Sequence, residues 1–215
     1  MKLAAYLGVV VASILAASFV AVVHAETPTF RPLTDDTLKA AIAEAQDSKA
    51  PMDFAIFRAS RQVFRNTEGE SVSLDAFLAM MERAPFYVTI LTPYQRVLFM
   101  ASDATRRFAE PPAPTAAAVN AEGVVFHVSE GGNFPAADVI EDLVLKQGER
   151  VIRALKKDVT PTVVQNGAGA SKPSASGDFY FSFDSIPAPP FQVVCIGKSG
   201  NYVQTVLDDD VAYIK

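Results

Sequence analysis

Residues 178–184 read DFYFSFD, and this stretch decides the predicted fold. Its three phenylalanines alternate with Tyr180 and Ser182, so they lie on one face of an extended strand. A strand with one apolar face and one polar face is typical of an antiparallel sheet that covers a core with one side and meets water with the other. The stretch therefore predicts a half-buried strand.

Six further runs after residue 123 are also strand-like, and segments rich in Gly and Pro separate most of them. The runs are GVVFHVS (123–129), IEDLVLK (140–146), RVIRAL (150–155), TPTVVQN (160–166), FQVVCIG (191–197) and NYVQTVL (201–207). Seven short strands at this spacing predict an antiparallel β-sandwich of immunoglobulin-like architecture over residues 123–215. The chain has no Trp and one Cys, so the Cys…Trp…Cys pattern of a true immunoglobulin domain is absent.

The segment before these strands has a different pattern. Residues 26–110 are predicted to be α-rich, with helices beginning near Thr34, Ser73 and Thr92. Residues 54–66 fit a strand and a helix, and the helix is preferred; residues 86–91 predict a short strand or an extended link. Prolines and alanines crowd residues 111–122, which predicts a linker. The predicted fold class is thus α+β, with a helical N-terminal region, a linker and a β-sandwich.

The helix over residues 92–108 raises a question about Phe99. Thr92 suits the N-cap and Pro93 the first helical position. One face of the helix is apolar and is predicted to include Tyr94, Val97 and Phe108, whereas Phe99 falls on the opposite, charged face. The preferred interpretation is that Phe99 packs against another part of the chain. The alternative is an exposed aromatic which, with Arg96 and Arg106, anchors a binding partner.

The N-terminal residues have the pattern of a targeting signal. Lys2 is followed by an apolar run over residues 3–23, and Val23 and Ala25 are small residues at the −3 and −1 positions of a cleavage site before Glu26. This pattern predicts a signal peptide over residues 1–25 and a secreted protein, periplasmic or extracellular. The alternative is a membrane anchor formed by residues 3–23, since the run is long enough to span a bilayer.

Composition excludes several classes of function. The net charge is −5, so the chain lacks the basic field that nucleic acid requires. Binding to an anionic membrane surface is disfavoured for the same reason. A membrane is an expected partner only if the N-terminal apolar run is retained. With two histidines in the chain, one of them His24, no multi-histidine metal site is expected. Cys195 is the only cysteine and lies in an apolar run, which predicts a buried thiol without a disulfide.

The motif search favours a non-catalytic protein. No nucleophile elbow, zinc-protease motif or phosphate-binding loop is present, so no metal and no cofactor are predicted. The sequence therefore predicts an exported binding or structural module whose partner is a protein or an envelope component; it leaves the oligomeric state open. The alternative is a secreted hydrolase with a nonstandard site, in which His127 acts as the base together with a loop carboxylate such as Asp138.

Overall fold

The computed structural model describes residues 30–47, 55–59, 85–110, 113–130, 137–165 and 168–212. Within these ranges the protein is a mixed α/β fold with two antiparallel sheets and few helices. The strands are β1 (Ala55–Ala59), β2 (Phe86–Leu91), β3 (Val124–Glu130), β4 (Ile140–Gln147), β5 (Arg150–Arg153), β6 (Lys156–Gln165), β7 (Ser171–Phe181), β8 (Phe191–Gly197) and β9 (Gly200–Val206).

The strands form a five-stranded and a four-stranded sheet, with the orders β1-β2-β3-β7-β6 and β5-β4-β8-β9. Neighbouring strands are antiparallel throughout. The chain passes from one sheet to the other between β5 and β6, where the amide of Leu155 donates to the carbonyl of Tyr180 at 2.8 Å. This direct passage joins the two sheets along one side.

Both sheets contribute to one hydrophobic core. Buried and less buried residues alternate along β2 and along β8, which is the period-2 pattern of strands with one face on a core. Phe86 of the larger sheet meets Tyr202 of the smaller edge-to-face at 5.4 Å. Phe126 and Phe181 make a similar contact within the larger sheet at 5.2 Å. The two sheets therefore contact each other through their apolar faces.

The seven predicted C-terminal strands are confirmed as β3 to β9. Phe179 and Phe181 are fully buried, as the alternation in residues 178–184 predicted. The strand ends at Phe181, however, because Phe183 begins a short 3-10 turn over Phe183–Ser185. The one cysteine, Cys195, is also buried as predicted, and burial raises the pKa of its thiol.

The immunoglobulin-like architecture is not confirmed. Of the seven strands, β4 is the second in sequence, and it lies beside the third and the sixth. In an immunoglobulin constant domain the second strand instead belongs to the sheet of the first, fourth and fifth strands. The larger sheet also contains two strands from before residue 110, since β1 pairs with β2 and β2 pairs with β3 along its whole length.

Four α-helices occur in the described parts of the chain. They are α1 (Asp35–Gln46), α2 (Pro93–Arg106), α3 (Ala116–Ala121) and α4 (Asp208–Val211). None is long and apolar enough to cross a membrane. Residues 1–29, with the predicted signal peptide, and residues 73–84, with the predicted second helix, lie outside the described residues. Helical character is thus seen for α1 and α2 but is not established for the whole N-terminal region.

Two local predictions before residue 123 differ from the structure. Residues 55–59 form strand β1 and not the preferred helix, because they pair with β2 from Ala55–Ile90 to Ala59–Phe86. Residues 116–121, within the predicted linker, form helix α3, whose N-terminus is capped by the hydroxyl of Thr115. Its Val119 is buried in a small helical cluster, so this part of the Pro/Ala segment has a packing role.

Helices α1, α2 and α3 pack around a second, smaller core. The side chain of Asn120 fixes the chain before α1, since it accepts from the amide of Leu33 at 2.7 Å and donates to the carbonyl of Leu33 at 2.8 Å. The phenol of Tyr94 in α2 donates to the carboxylate of Glu44 in α1 at 2.5 Å. The cluster contains Leu33, Leu38, Ala41, Val97, Ala116 and Val119.

The link between Tyr94 and Glu44 predicts a loss of stability at alkaline pH. Burial, and then the bond to Glu44, raise the pKa of Tyr94 from 10.0 to about 12. The neutral phenol thus contributes stability that is fully present below pH 10 and is lost as the pH rises towards 12. We expect Tyr94→Phe to be less stable than the wild type at pH 8, and the difference in melting temperature to narrow by pH 11.5. A constant difference would contradict this coupling.

Candidate functional site

Asp138, the predicted catalytic carboxylate, has a structural role. It lies just before β4 and is 4% exposed. Its carboxylate accepts from the amide of Val139 at 2.8 Å, from the amide and hydroxyl of Ser199, each at 3.0 Å, and from the phenol of Tyr202 at 2.9 Å. These bonds tie the start of β4 to the turn between β8 and β9. The carboxylate is therefore fully engaged away from His127.

His127 pairs with a different carboxylate, Asp178. The two residues are directly opposite each other on β3 and β7, and His127 Nδ1 lies 2.7 Å from Asp178 Oδ1. Both side chains are about two-fifths exposed, at 40% and 39%. The pair thus lies on the outer face of the larger sheet, whereas Phe126 and Phe179 beside it point into the core.

A second carboxylate extends this pair into a polar row, which we define as His127, Asp178, Asp158, Lys156 and Tyr180. Asp158 on β6 is directly opposite Asp178, and Lys156 Nζ lies 2.6 Å from its carboxylate. The bond to Lys156 lowers the pKa of Asp158, and the same bond raises the pKa of Lys156. Lys156 Nζ also lies 4.7 Å from the ring centre of Tyr180. Burial, followed by the charge of Asp178, raises the pKa of Tyr180.

The polar row supplies part of the machinery of general-base catalysis. A carboxylate that holds one ring nitrogen of a histidine orients the other nitrogen, as in the base and orienting pair of a catalytic triad. Among the described residues, no hydroxyl or thiol is hydrogen-bonded to the His127 ring. In the same residues no group of three or more His, Cys, Asp or Glu side chains is placed to hold a metal ion.

Arg96, the first of the predicted partner-binding residues, is occupied within the chain. Its guanidinium forms an ion pair with Glu122 and donates to the carbonyl of Gly123 at 3.4 Å. The side chain is 15% exposed. Arg96 therefore joins α2 to the turn that connects α3 with β3, and it contributes little free charge to the surface.

Phe99 is exposed, so the preferred prediction that it packs within the chain is wrong. It is 52% exposed, and Met100 beside it is 38% exposed. On the next turns of α2, Arg106 donates to the hydroxyl of Ser102 at 3.4 Å. Arg107 forms an ion pair with Asp103 at 3.0 Å. Helix α2 thus carries an apolar and cationic surface, which we call the α2 surface and define as Phe99, Met100, Arg106, Arg107 and Phe108.

Phe108 is the most exposed residue of the α2 surface, at 99%. Phe108 was predicted to lie on the apolar face of the helix, because the helix was predicted to run to residue 108. The helix ends at Arg106, and Phe108 has a φ of +55°. The amide of Ala109 donates to the carbonyl of Ala104 at 2.9 Å, and that of Phe108 donates to Thr105 at 3.2 Å. This is a Schellman helix end with Phe at the left-handed position that Gly usually occupies.

Of the predicted site residues, the structure brings Phe99 and Arg106 onto one surface but separates His127 from Asp138. Asp178 was not among the predicted site residues, although it begins the stretch that predicted the fold. Only the register between β3 and β7 identifies it as the partner of His127. The exposed position of Phe108 was also not predicted. The signal for it in the sequence is the Ala-Glu-Pro-Pro segment that follows, which indicates that the helix ends before residue 108. Comparison of the chain with protein-family models, curated proteins and solved structures gave no match.

Proposed function

We propose that this protein is an exported, non-catalytic binding module that holds a protein partner through the α2 surface. The observation that carries the proposal is Phe108, an aromatic residue at positive φ that is 99% exposed. A side chain in this position contributes no packing to the fold of its own chain.

Phe108 lowers the stability of the free protein in two ways. A residue other than Gly in the left-handed region costs about 1–2 kcal/mol, and an exposed Phe forgoes about 1.5–3 kcal/mol of burial. A partner that covers the ring recovers the second amount. Aromatic residues, Met and Arg are enriched at protein interfaces, and Phe99, Met100, Arg106 and Arg107 lie on the last turns of the same helix and its C-cap.

The pattern of residues 1–25 supports export, and the proposed partner is then one outside the cytoplasm, in the periplasm or the extracellular space. In the alternative, residues 3–23 stay as an anchor and the α2 surface works close to a membrane. We further infer that the two sheets form a β-sandwich, an inference supported by the core residues that they share. A packed scaffold of this kind can hold a binding surface in a fixed position.

Site-specific photo-crosslinking tests the proposal in the cells that produce the protein. A photoreactive phenylalanine analogue replaces Phe108 or Phe99, and a matched control carries it at Val163, which is 59% exposed on β6. We expect a discrete protein adduct at positions 108 and 99 but not at 163. The adduct partner, once identified and purified, should bind the wild type at least ten-fold more tightly than Phe108→Gly. Equal labelling at all three positions, or equal binding of the variant, would refute the proposal.

The same residue predicts a variant that is more stable than the natural protein. Phe108→Gly removes the left-handed strain and loses no buried contact, so we expect the free energy of unfolding to rise by about 1 kcal/mol. Urea unfolding measures this change. A loss of stability in Phe108→Gly would show that the phenyl ring does support the fold.

A second candidate function, a hydrolase, is favoured by one observation, the 2.7 Å contact between His127 and Asp178. In this case the pair activates a water molecule, and Asp178 takes the role that was predicted for Asp138. Hydrolysis of a nitrophenyl ester by the wild type, by His127→Ala and by Asp178→Asn tests it. A hydrolase should lose at least 100-fold in rate in His127→Ala, whereas equal background rates in all three proteins would exclude this function.

A further inference from the structure

The α2 surface has an internal spacing that bears on its partner. Phe99 precedes Arg106 by seven residues, and Met100 precedes Arg107 by the same interval. Seven residues make about two helical turns and advance about 10.5 Å along the axis. Each apolar side chain therefore lies on nearly the same side of the helix as a guanidinium two turns further along the chain. Asp103 occupies the middle of this surface.

We propose that the partner of the α2 surface is a second copy of this chain, docked by antiparallel pairing of the two α2 helices about a two-fold axis at Asp103. This inference rests on the proposed function, because it names the partner of the same surface. A rotation about that axis sets Phe99 of each copy against Arg106 of the other. The same rotation sets Met100 against Arg107. The contact is self-complementary, as a two-fold interface requires.

The chemistry of these contacts is favourable in this orientation. A guanidinium over an aromatic ring is attracted to its face, and the aliphatic stem of an arginine covers apolar surface while its head stays in water. Phe99 is half exposed and Arg106 is exposed on the same helix, so both are accessible. At the axis Asp103 of one copy faces Asp103 of the other, and the ion pair of each with Arg107 of its own helix offsets their mutual repulsion.

The local charge favours a second copy over a lipid surface or an acidic protein. Arg107 of the α2 surface is offset by its ion pair with Asp103, and the whole chain has a net charge of −5. With one of its two guanidinium groups offset in this way, the α2 surface has too weak a positive field to favour anionic headgroups or a negatively charged protein as its partner. In the proposed pairing each guanidinium instead lies against an apolar side chain of the other copy, so the contact requires no opposite charge on the partner.

Sedimentation velocity of the exported protein, recovered from the cells that produce it and studied from 1 to 200 µM in about 0.15 M salt, tests the inference. We expect a concentration-dependent monomer–dimer equilibrium. Phe99→Ala should weaken the dimer at least ten-fold, whereas the exposed control Val163→Ala should change it less than two-fold. A monomer at every concentration, or a dimer that Phe99→Ala leaves unchanged, would overturn the inference.

Cysteine crosslinking tests the proposed position of the two-fold axis. It does not depend on whether Phe99→Ala folds. Asp103→Cys places a thiol at the proposed axis, and the native Cys195 is buried and does not compete. We expect mild oxidation to give a disulfide-linked dimer from Asp103→Cys but not from Val163→Cys. Without that dimer, a discrete adduct of Phe108 with a different protein would refute the second copy and leave the proposed function standing. Absence of both the dimer and any adduct would refute both.

Discussion

Replacing Gly123 by alanine is expected to lower the free energy of unfolding by about 3 kcal/mol or more. Gly123 lies between α3 and β3 with a φ of +67°, and a Cβ there would lie 2.1 Å from the carbonyl oxygen of Phe181. The obstacle is the backbone of β7, which cannot rotate away. The left-handed conformation costs about 1–2 kcal/mol for alanine, and relieving the overlap adds about 1–3 kcal/mol.

Gly148→Ala is the matched control for this prediction. Gly148 also has a positive φ, +56°, but a Cβ there meets nothing within 4 Å. We expect a loss of only about 1 kcal/mol, which isolates the conformational cost from the steric one. Urea unfolding of both variants gives the comparison. Similar losses in the two variants would mean that the α3–β3 turn does not approach β7 as closely as the structure shows.

Removing the carboxylate of Asp138 is the second change with a large expected effect. Asp138→Ala leaves the amide of Val139 and the buried phenol of Tyr202 without their acceptor, and a buried donor without a partner costs about 1–3 kcal/mol. We expect the free energy of unfolding to fall by about 2–4 kcal/mol. Gly197 confirms how closely this carboxylate is enclosed, since a Cβ at Gly197 would lie 2.4 Å from Asp138 Oδ2.

The control is Asp142→Asn. Asp142 lies four residues further along the chain, within β4. Its carboxylate is 28% exposed and lies 3.8 Å from Arg153 and 3.7 Å from Lys157, and such partly exposed pairs contribute about 0–1 kcal/mol. Chemical unfolding of both variants measures the difference. Because Asp138 was the predicted catalytic partner of His127, Asp138→Asn should also lower any esterase activity only in proportion to the folded fraction. A loss of activity in fully folded protein would return Asp138 to a catalytic role.

The parts of this fold that were predictable from sequence are those with a local signal. The alternation in residues 178–184 identified the buried phenylalanines of β7, and Thr92 with Pro93 fixed the start of α2, where the structure shows a capping box with Gln95. Each of these features depends on neighbours only a few residues away. Their physical cause is therefore visible in the sequence itself.

The parts that were not predictable depend on distant residues. Strand β1 has five residues, too few for a clear period, and only its pairing with β2 selects strand over helix. Asp138 has no local mark to distinguish it from other loop carboxylates, because apart from the adjacent amide of Val139 its donors are more than sixty residues away, at Ser199 and Tyr202. Phe99 was assigned to the interior on the general ground that burying a Phe is favourable, and the helix alone carries no signal that shows whether another part of the chain covers this side chain.

The position of β3 has a consequence for any attempt to divide the chain. It pairs with β2 on one side and with β7 on the other, so it is an interior strand whose amides and carbonyls face neighbours in both directions. A fragment that starts at residue 123 would leave one flank of β3 without its neighbour. That flank would become a template for adding strands from other molecules. By pairing with β3, strand β2 therefore protects the strands that follow it from aggregation.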